Sequence, residues 1–172
     1  LGPEAMQAQA GAVMCVALLL SSVSALPQFY ERDHDDGSME LLLLQPVVLE
    51  WLVFAKIAGQ WLALVLPILL VSPLLAVAAN MDAGQTAQAL CMLLLASPTV
   101  VSLGSIAGAL TLGARRGGLL QALVVMPLYV PVLIFAASAG EQGALWFLGG
   151  MMLGSVPLAC VVSAALIRIS QD

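Results

Sequence analysis

The chain has 172 residues, of which 62% are hydrophobic and 9% charged, with a net charge of −5 and a mean hydropathy of +1.06. Soluble domains carry about 25% charged residues, and a soluble fold of this size has too much surface to hide so much apolar area, so the bilayer is the solvent in which such a chain is stable. The five basic residues, Arg32, Lys56, Arg115, Arg116 and Arg168, are scattered, which excludes nucleic acid as a partner, because phosphate binding needs clustered Lys and Arg.

A membrane helix needs roughly 20 mostly apolar residues, and five stretches qualify. The first runs from Ala8 to Leu26, with a soft start at Gln7 and Gln9. The second, Trp51 to Ala79, is long enough to tilt and carries Pro67 and Pro73, both expected to kink it. The third, Thr86 to Leu112, has Pro98 at its middle among Ser97, Thr99 and Ser102. Those hydroxyls are placed to satisfy carbonyls that a proline releases. Gly104, Ser105, Ala107 and Gly108 follow, small residues that permit close helix approach in lipid. The fourth, Leu119 to Ala139, contains Pro127 and Pro131, and the fifth, Ala144 to Ile167, contains Gly149, Gly150, Gly154 and Pro157.

Lys and Arg set the orientation. Arg32 precedes span two, Lys56 lies in that span's first turns, Arg115 and Arg116 join spans three and four, and Arg168 follows span five. All these places share one side. The opposite connections, 79–85 and 140–143, hold Asp82 and Glu141 and no base. The positive-inside rule therefore puts the Arg32 loop, the Arg115–Arg116 turn and the C-terminus in the cytoplasm, and Leu1 outside. A further helix before Leu1 is expected to return the true N-terminus to the cytoplasm.

The segment Pro27 to Glu50 holds half of the acids, Glu31, Asp33, Asp35, Asp36 and Glu40. A helix can start near Gly37 or Ser38, capped by Asp36 or Ser38, with Glu40 favoured at its positive end. Pro46 discourages its continuation. At about 1.5 Å per residue it reaches roughly 12–15 Å, too short to span. It lies at the interface or docks on protein. Two readings follow: a solvated acidic loop whose Leu41–Leu44 bury against the spans, or a docking surface for a cytoplasmic partner.

No phosphate-binding loop of the G-x-x-x-x-G-K-[ST] type occurs, so this chain does not itself hydrolyse ATP. H-E-x-x-H, C-x-x-C and G-x-S-x-G are absent too. Cys15, Cys91 and Cys160 lie in apolar runs and read as small buried hydrophobes. Met14, Met92, Met126, Met151 and Met152 read as core filling, and the lone His34 as a loop side chain rather than a ligand. Lys56 is expected to snorkel to the surface beside Glu50. Arg115 and Arg116 serve as topology anchors or touch a partner. Trp51 and Trp146 read as interfacial anchors, and Trp61 as packing.

The run Y-E-R-D-H-D-D-G-S-M-E-L-L-L-L-Q-P, Tyr30 to Pro46, resembles the F-x-x-D-x-x-D-G-S-L-E-x-L-L-L-x-P segment of the haem exporter protein B family (CcmB) of cytochrome c maturation. Gly2–Glu4, Leu69–Leu74, Ser97–Gly108, Ala109–Ala136 and Ala165–Ser170 match the family in order, and only the region 140–150 is loosely matched. Tyr30 for Phe, Met39 for Leu and Gln45 for a small or apolar residue are mild departures.

The resemblance implies an all-α polytopic bundle of the ABC-2-type transmembrane class, one domain over residues 1–172, with five spans present of six expected. The absent part would be the N-terminal segment and first helix. It also implies assembly with a CcmA-type ATPase subunit, which would hold ATP and Mg, with CcmC- and CcmD-type haem-handling proteins, and with a second copy of this chain in the bacterial inner membrane. No cofactor is assigned to this chain, and haem is the ligand transported or handled. Residues 27–50 would carry a coupling helix in a groove of the ATPase. Tyr30, Asp33, Asp36, Gly37, Ser38, Glu40 and Pro46 fall on that pattern, and Arg115 and Arg116 form a secondary cytoplasmic contact. The expected function is that of a transporter subunit rather than an enzyme, serving haem export or delivery in c-type cytochrome biogenesis. The alternatives are an ABC-2 permease for another substrate, such as a lipid or drug, and a scaffold that does not transport. A reporter fused to the N-terminus of the full-length protein is expected to report the cytoplasm, and an external reporter contradicts the six-span count.

Overall fold

The computed structural model describes residues 3–25, 30, 48–111, 117–137 and 142–169. Every regular element among them is helical: α1 (Pro3–Ala25), α2 (Leu49–Ala78), α3 (Ala83–Leu110), α4 (Gly117–Ala137) and α5 (Gln142–Ile169). Four of these, α2 to α5, are long and apolar enough to cross a membrane. Helix α1 is 23 residues long, and among the residues whose side chains are described its Val13–Ala25 stretch is apolar. It starts earlier than its apolar pattern suggests because Pro3 suits the first helical turn, where an N–H has no partner to lose.

The helices alternate in direction. Helices α2 and α3 are joined by a tight corner. Asn80 takes the left-handed conformation at φ 51°. The Asn80 N–H donates to the Val77 carbonyl and the Met81 N–H to the Ala76 carbonyl, which closes the C-terminus of α2 in the manner usually served by glycine. Asp82 then opens α3 through a reciprocal cap with Gln85, whose Oε1 accepts the Asp82 N–H at 3.1 Å. The connection is thereby shorter than the expected 79–85.

Helix α3 is the centre of the bundle. In its most apolar window 61% of residues are buried, against 22–33% for α2, α4 and α5, and all four other helices pack on it. Its buried residues are mostly small: Ala96, Ser97, Gly104, Ser105, Ala107, Gly108 and Ala109. Small side chains let backbones approach and gain van der Waals contact where lipid offers no hydrophobic drive. The outer helices turn large apolar stripes outward instead, such as Leu62, Leu66, Leu70 and Leu74 on α2 and Leu123, Met126, Val130 and Ile134 on α4. In a bilayer these stripes face acyl chains.

Helices α2 and α3 run unbroken through their prolines. Pro98 has no N–H for the Leu94 carbonyl four residues back. The Ser97 hydroxyl donates to that carbonyl at 3.3 Å. The same oxygen accepts the Trp61 indole N–H from α2 at 2.9 Å. Ser72 repeats the device before Pro73, donating to the Leu69 carbonyl at 2.9 Å. At Pro98 the hydroxyl expectation is met by Ser97 alone, because the buried hydroxyls of Thr99 and Ser102 have no hydrogen-bond partner among the described residues; Trp61 is a hydrogen-bond donor as well as packing.

Two expectations fail. Cys91 is exposed, while Cys15 and Cys160 are buried. Met126 is 61% exposed on the outward face of α4 rather than in the core. Both helices are apolar around their whole circumference, so composition does not mark the inward face.

Ser97→Ala removes one acceptor and one donor at a buried side chain, and should lower stability by about 1–2 kcal/mol. Ser24→Ala, which loses only an exposed bond to the Leu20 carbonyl, should cost under about 0.5 kcal/mol. Denaturant unfolding of the two variants in micelles checks the difference.

Candidate functional site

One end of the bundle gathers the C-termini of α1, α3 and α5 and the N-termini of α2 and α4. The contacts fix this arrangement: Glu50 at the start of α2 meets Arg168 at the end of α5, and Gln121 early in α4 donates to the Gly104 carbonyl late in α3 at 3.4 Å. Lys56 and Arg168, the basic residues with described positions, both belong to this end. Trp51 lies there, 68% exposed, and Trp146 stands near the opposite end, 84% exposed. Both positions suit interfacial anchors.

Tyr30, in the link between α1 and α2, is folded inward and only 2% exposed. Its hydroxyl is hydrogen-bonded to the Ser105 hydroxyl of α3 at 2.8 Å. Ser105 in turn lies 3.2 Å from the Ser163 hydroxyl of α5. The Lys56 ammonium of α2 sits 5.0 Å from the centre of the Tyr30 ring, within range of a cation–π attraction. Burial raises the Tyr30 phenol above its ordinary pKa, an effect partly offset by the hydrogen bonds to Ser105 and Ser163. The phenol is therefore neutral at physiological pH and available as both donor and acceptor. One side chain from the link thus joins three helices.

A second tie lies at the surface. An Arg168 guanidinium nitrogen donates to Glu50 Oε1 at 3.3 Å. Glu50 is in the first turn of α2 and Arg168 in the last turn of α5, so each charge also complements its own helix dipole. Six residues apart, Lys56 and Glu50 fall on different faces of α2: Arg168 takes the carboxylate, while Lys56 covers Tyr30.

Among the residues expected to form a docking segment, Tyr30 alone lies within the described residues. Asp33, Asp36, Gly37, Ser38, Glu40 and Pro46 lie outside them, as do Arg115 and Arg116 and the short helix expected within 27–50. Sequence reasoning named Ser105 only as a small residue and did not single out Ser163 or Gln121. A lone serine in an apolar run carries no sign of its partner across the bundle. Tyr129, whose hydroxyl donates to the Val100 carbonyl at 3.1 Å, went unnoticed for the same reason.

No group of three or more His, Cys, Asp or Glu side chains suited to a metal ion occurs among the described residues. A groove of about 210 Å³ runs between α1 and α2, lined by Met14, Ser21, Pro67, Ile68, Val71 and others. It is below the roughly 300–1,000 Å³ of drug-sized ligand pockets.

Among the described residues, an all-helical bundle with four membrane-length apolar helices defines a multi-pass membrane protein. Residues 1–170 match the CcmB protein family. The chain is 37% identical over 178 residues to Heme exporter protein B of Haemophilus influenzae, covering 99% of this chain and 80% of that protein. It is 40% identical over 176 residues to Heme exporter protein B of Escherichia coli, covering 98% and 80%. The protein of that name in Paracoccus denitrificans is 36% identical over 179 residues, covering 98% and 82%. This chain belongs to the CcmB protein family.

The Glu50–Arg168 tie is asymmetric. Glu50 Oε2 is buried with no hydrogen-bond partner among the described residues, whereas Arg168 is 60% exposed. Arg168→Ala should therefore destabilise more than Glu50→Ala, because it strands a half-buried carboxylate. The Glu50→Ala/Arg168→Ala double variant should recover part of the loss. Melting temperatures in micelles at low and high salt check this, with the gap narrowing as salt screens the pair.

Proposed function

We propose that this chain is the membrane-spanning subunit of an ABC-type complex that exports haem, or supports its delivery, in c-type cytochrome biogenesis. The observation that carries the reading is the CcmB match over residues 1–170, together with relatives of 33–40% identity that bear the name Heme exporter protein B. Haem is the substrate in this reading, and the chain acts as a transporter subunit rather than an enzyme.

Transport against a gradient needs an energy source, and the sequence has no phosphate-binding loop. A separate ATPase subunit of the CcmA type supplies it in this reading. CcmC- and CcmD-type proteins take part in the handling of haem, and a second copy of this chain completes the ABC-2-type membrane unit. The basic end faces the bacterial cytoplasm, as the positive-inside rule favours. There the ATPase meets the acidic segment containing Asp33, Asp36, Gly37, Ser38, Glu40 and Pro46, with Arg115 and Arg116 as a secondary contact. The concentration of acids in that segment supports a contact with basic groups on the ATPase, and charge complementarity at such a contact sets register and partner choice.

Asp36→Lys and Glu40→Lys should each weaken co-purification of the ATPase with affinity-tagged full-length protein, while membrane insertion stays intact. Undiminished co-purification of both variants contradicts the docking assignment. Haem absorbance of the same wild-type preparation tests whether haem accompanies the complex.

A further inference from the structure

Tyr30 opens the acidic segment but does not offer its side chain to a partner. It is turned into the bundle and 2% exposed. Its hydroxyl starts a row of three, Tyr30 to Ser105 at 2.8 Å and Ser105 to Ser163 at 3.2 Å. Ser105 and Ser163 are both fully buried, so no bulk water replaces a lost bond there. The row crosses from the link to α3 and on to α5, while Lys56 of α2 holds the ring from another side.

The seam that this row bridges is lined by small residues. Helices α3 and α5 form the most extensive helix pair in the bundle. Near the row, α3 presents Gly104, Ser105, Ala107 and Gly108, and α5 presents Ala159, Ser163 and Ala164, all buried. Surfaces of small residues have shallow ridges, and packed helices shift against one another by small shear steps. A hydroxyl row at such a seam is a specific catch in an otherwise smooth contact.

We propose that Tyr30 is the positioning residue through which displacement of the acidic segment is passed to the α3–α5 seam. This rests on the reading above that the segment docks on the ATPase, and it assigns Tyr30 an inward role distinct from that contact. Docking would be carried by the residues after Tyr30. Tyr30 would fix where their movement enters the bundle.

The test uses the full-length protein in the assembled complex, with four readouts: membrane abundance, co-purified ATPase, ATP hydrolysis and holocytochrome c detected by its covalent haem. Tyr30→Phe keeps the ring and its contact with Lys56 and removes only the hydroxyl. It is expected to leave abundance, ATPase yield and hydrolysis unchanged, and to lower holocytochrome at least about five-fold, the lower bound of a typical coupling between sites. Ser163→Ala, at the far end of the row, should act in the same direction. Ser105→Ala added to Tyr30→Phe should cause little further loss, because both interrupt one row. Unchanged holocytochrome in Tyr30→Phe and Ser163→Ala overturns the proposal. So does a loss that only tracks abundance or ATPase yield, which would make Tyr30 a folding or docking residue. Wild-type protein that brings down no ATPase overturns the docking reading itself, and is seen before any variant is compared.

Discussion

A carbonyl released by proline inside hydrocarbon has no water to turn to, and each such group left unsatisfied costs several kcal/mol. Helices α2 and α3 both carry prolines in their interiors, and at Pro73 and Pro98 the residue just before meets the cost. Ser72 and Ser97 donate to the carbonyls of Leu69 and Leu94. At Ser97 the solution also becomes tertiary, because the same hydroxyl receives the Trp61 indole from the neighbouring helix. A local backbone problem in α3 thereby fixes the height at which α2 packs on it. The other neighbours are registered in similar ways: α4 by Tyr129 and Gln121 against α3 carbonyls, and α5 by the Ser105–Ser163 contact.

Each of these bonds is modest, with interhelical hydrogen bonds in membranes averaging about 0.6 kcal/mol. The bulk of the cohesion comes from the close approach of small residues along α3. The polar contacts select one register among several that smooth surfaces would allow. This division of labour explains why the bundle's polar contacts lie at defined heights, and why charge is confined to its ends. At the basic end an outer ion pair and an inner hydroxyl row both reach α5, from α2 and from the link before it.

Much of this architecture was legible in the sequence. The length of the apolar runs located the membrane helices to within a few residues, since hydrocarbon thickness sets their length. Ser97 beside Pro98 announced its own hydrogen bond, because donor and orphaned acceptor are close in sequence. What stayed hidden depends on which face of a helix turns inward. Met126 and Cys91 look like core residues in a helix that is apolar all round, and both are exposed. The partner of Glu50 comes from the other end of the chain, and nothing local to Glu50 points to Arg168. Tyr30 stood out through its place in a family-like segment. Its inward orientation depends on Ser105, 75 residues away, and no local pattern carries that information. The acidic residues after it were legible only as a motif, and their role rests on resemblance and charge.

The central claim is that the polar, basic end of the bundle is where energy from ATP hydrolysis enters. Site-specific photo-crosslinking in the intact membrane tests it most directly, with the reactive residue placed at Arg168 at one end or at Trp146 at the other. The ATPase subunit is expected to be captured from the Arg168 position and not from the Trp146 position. Capture from Trp146, or from neither position while the two proteins still co-purify, would contradict it.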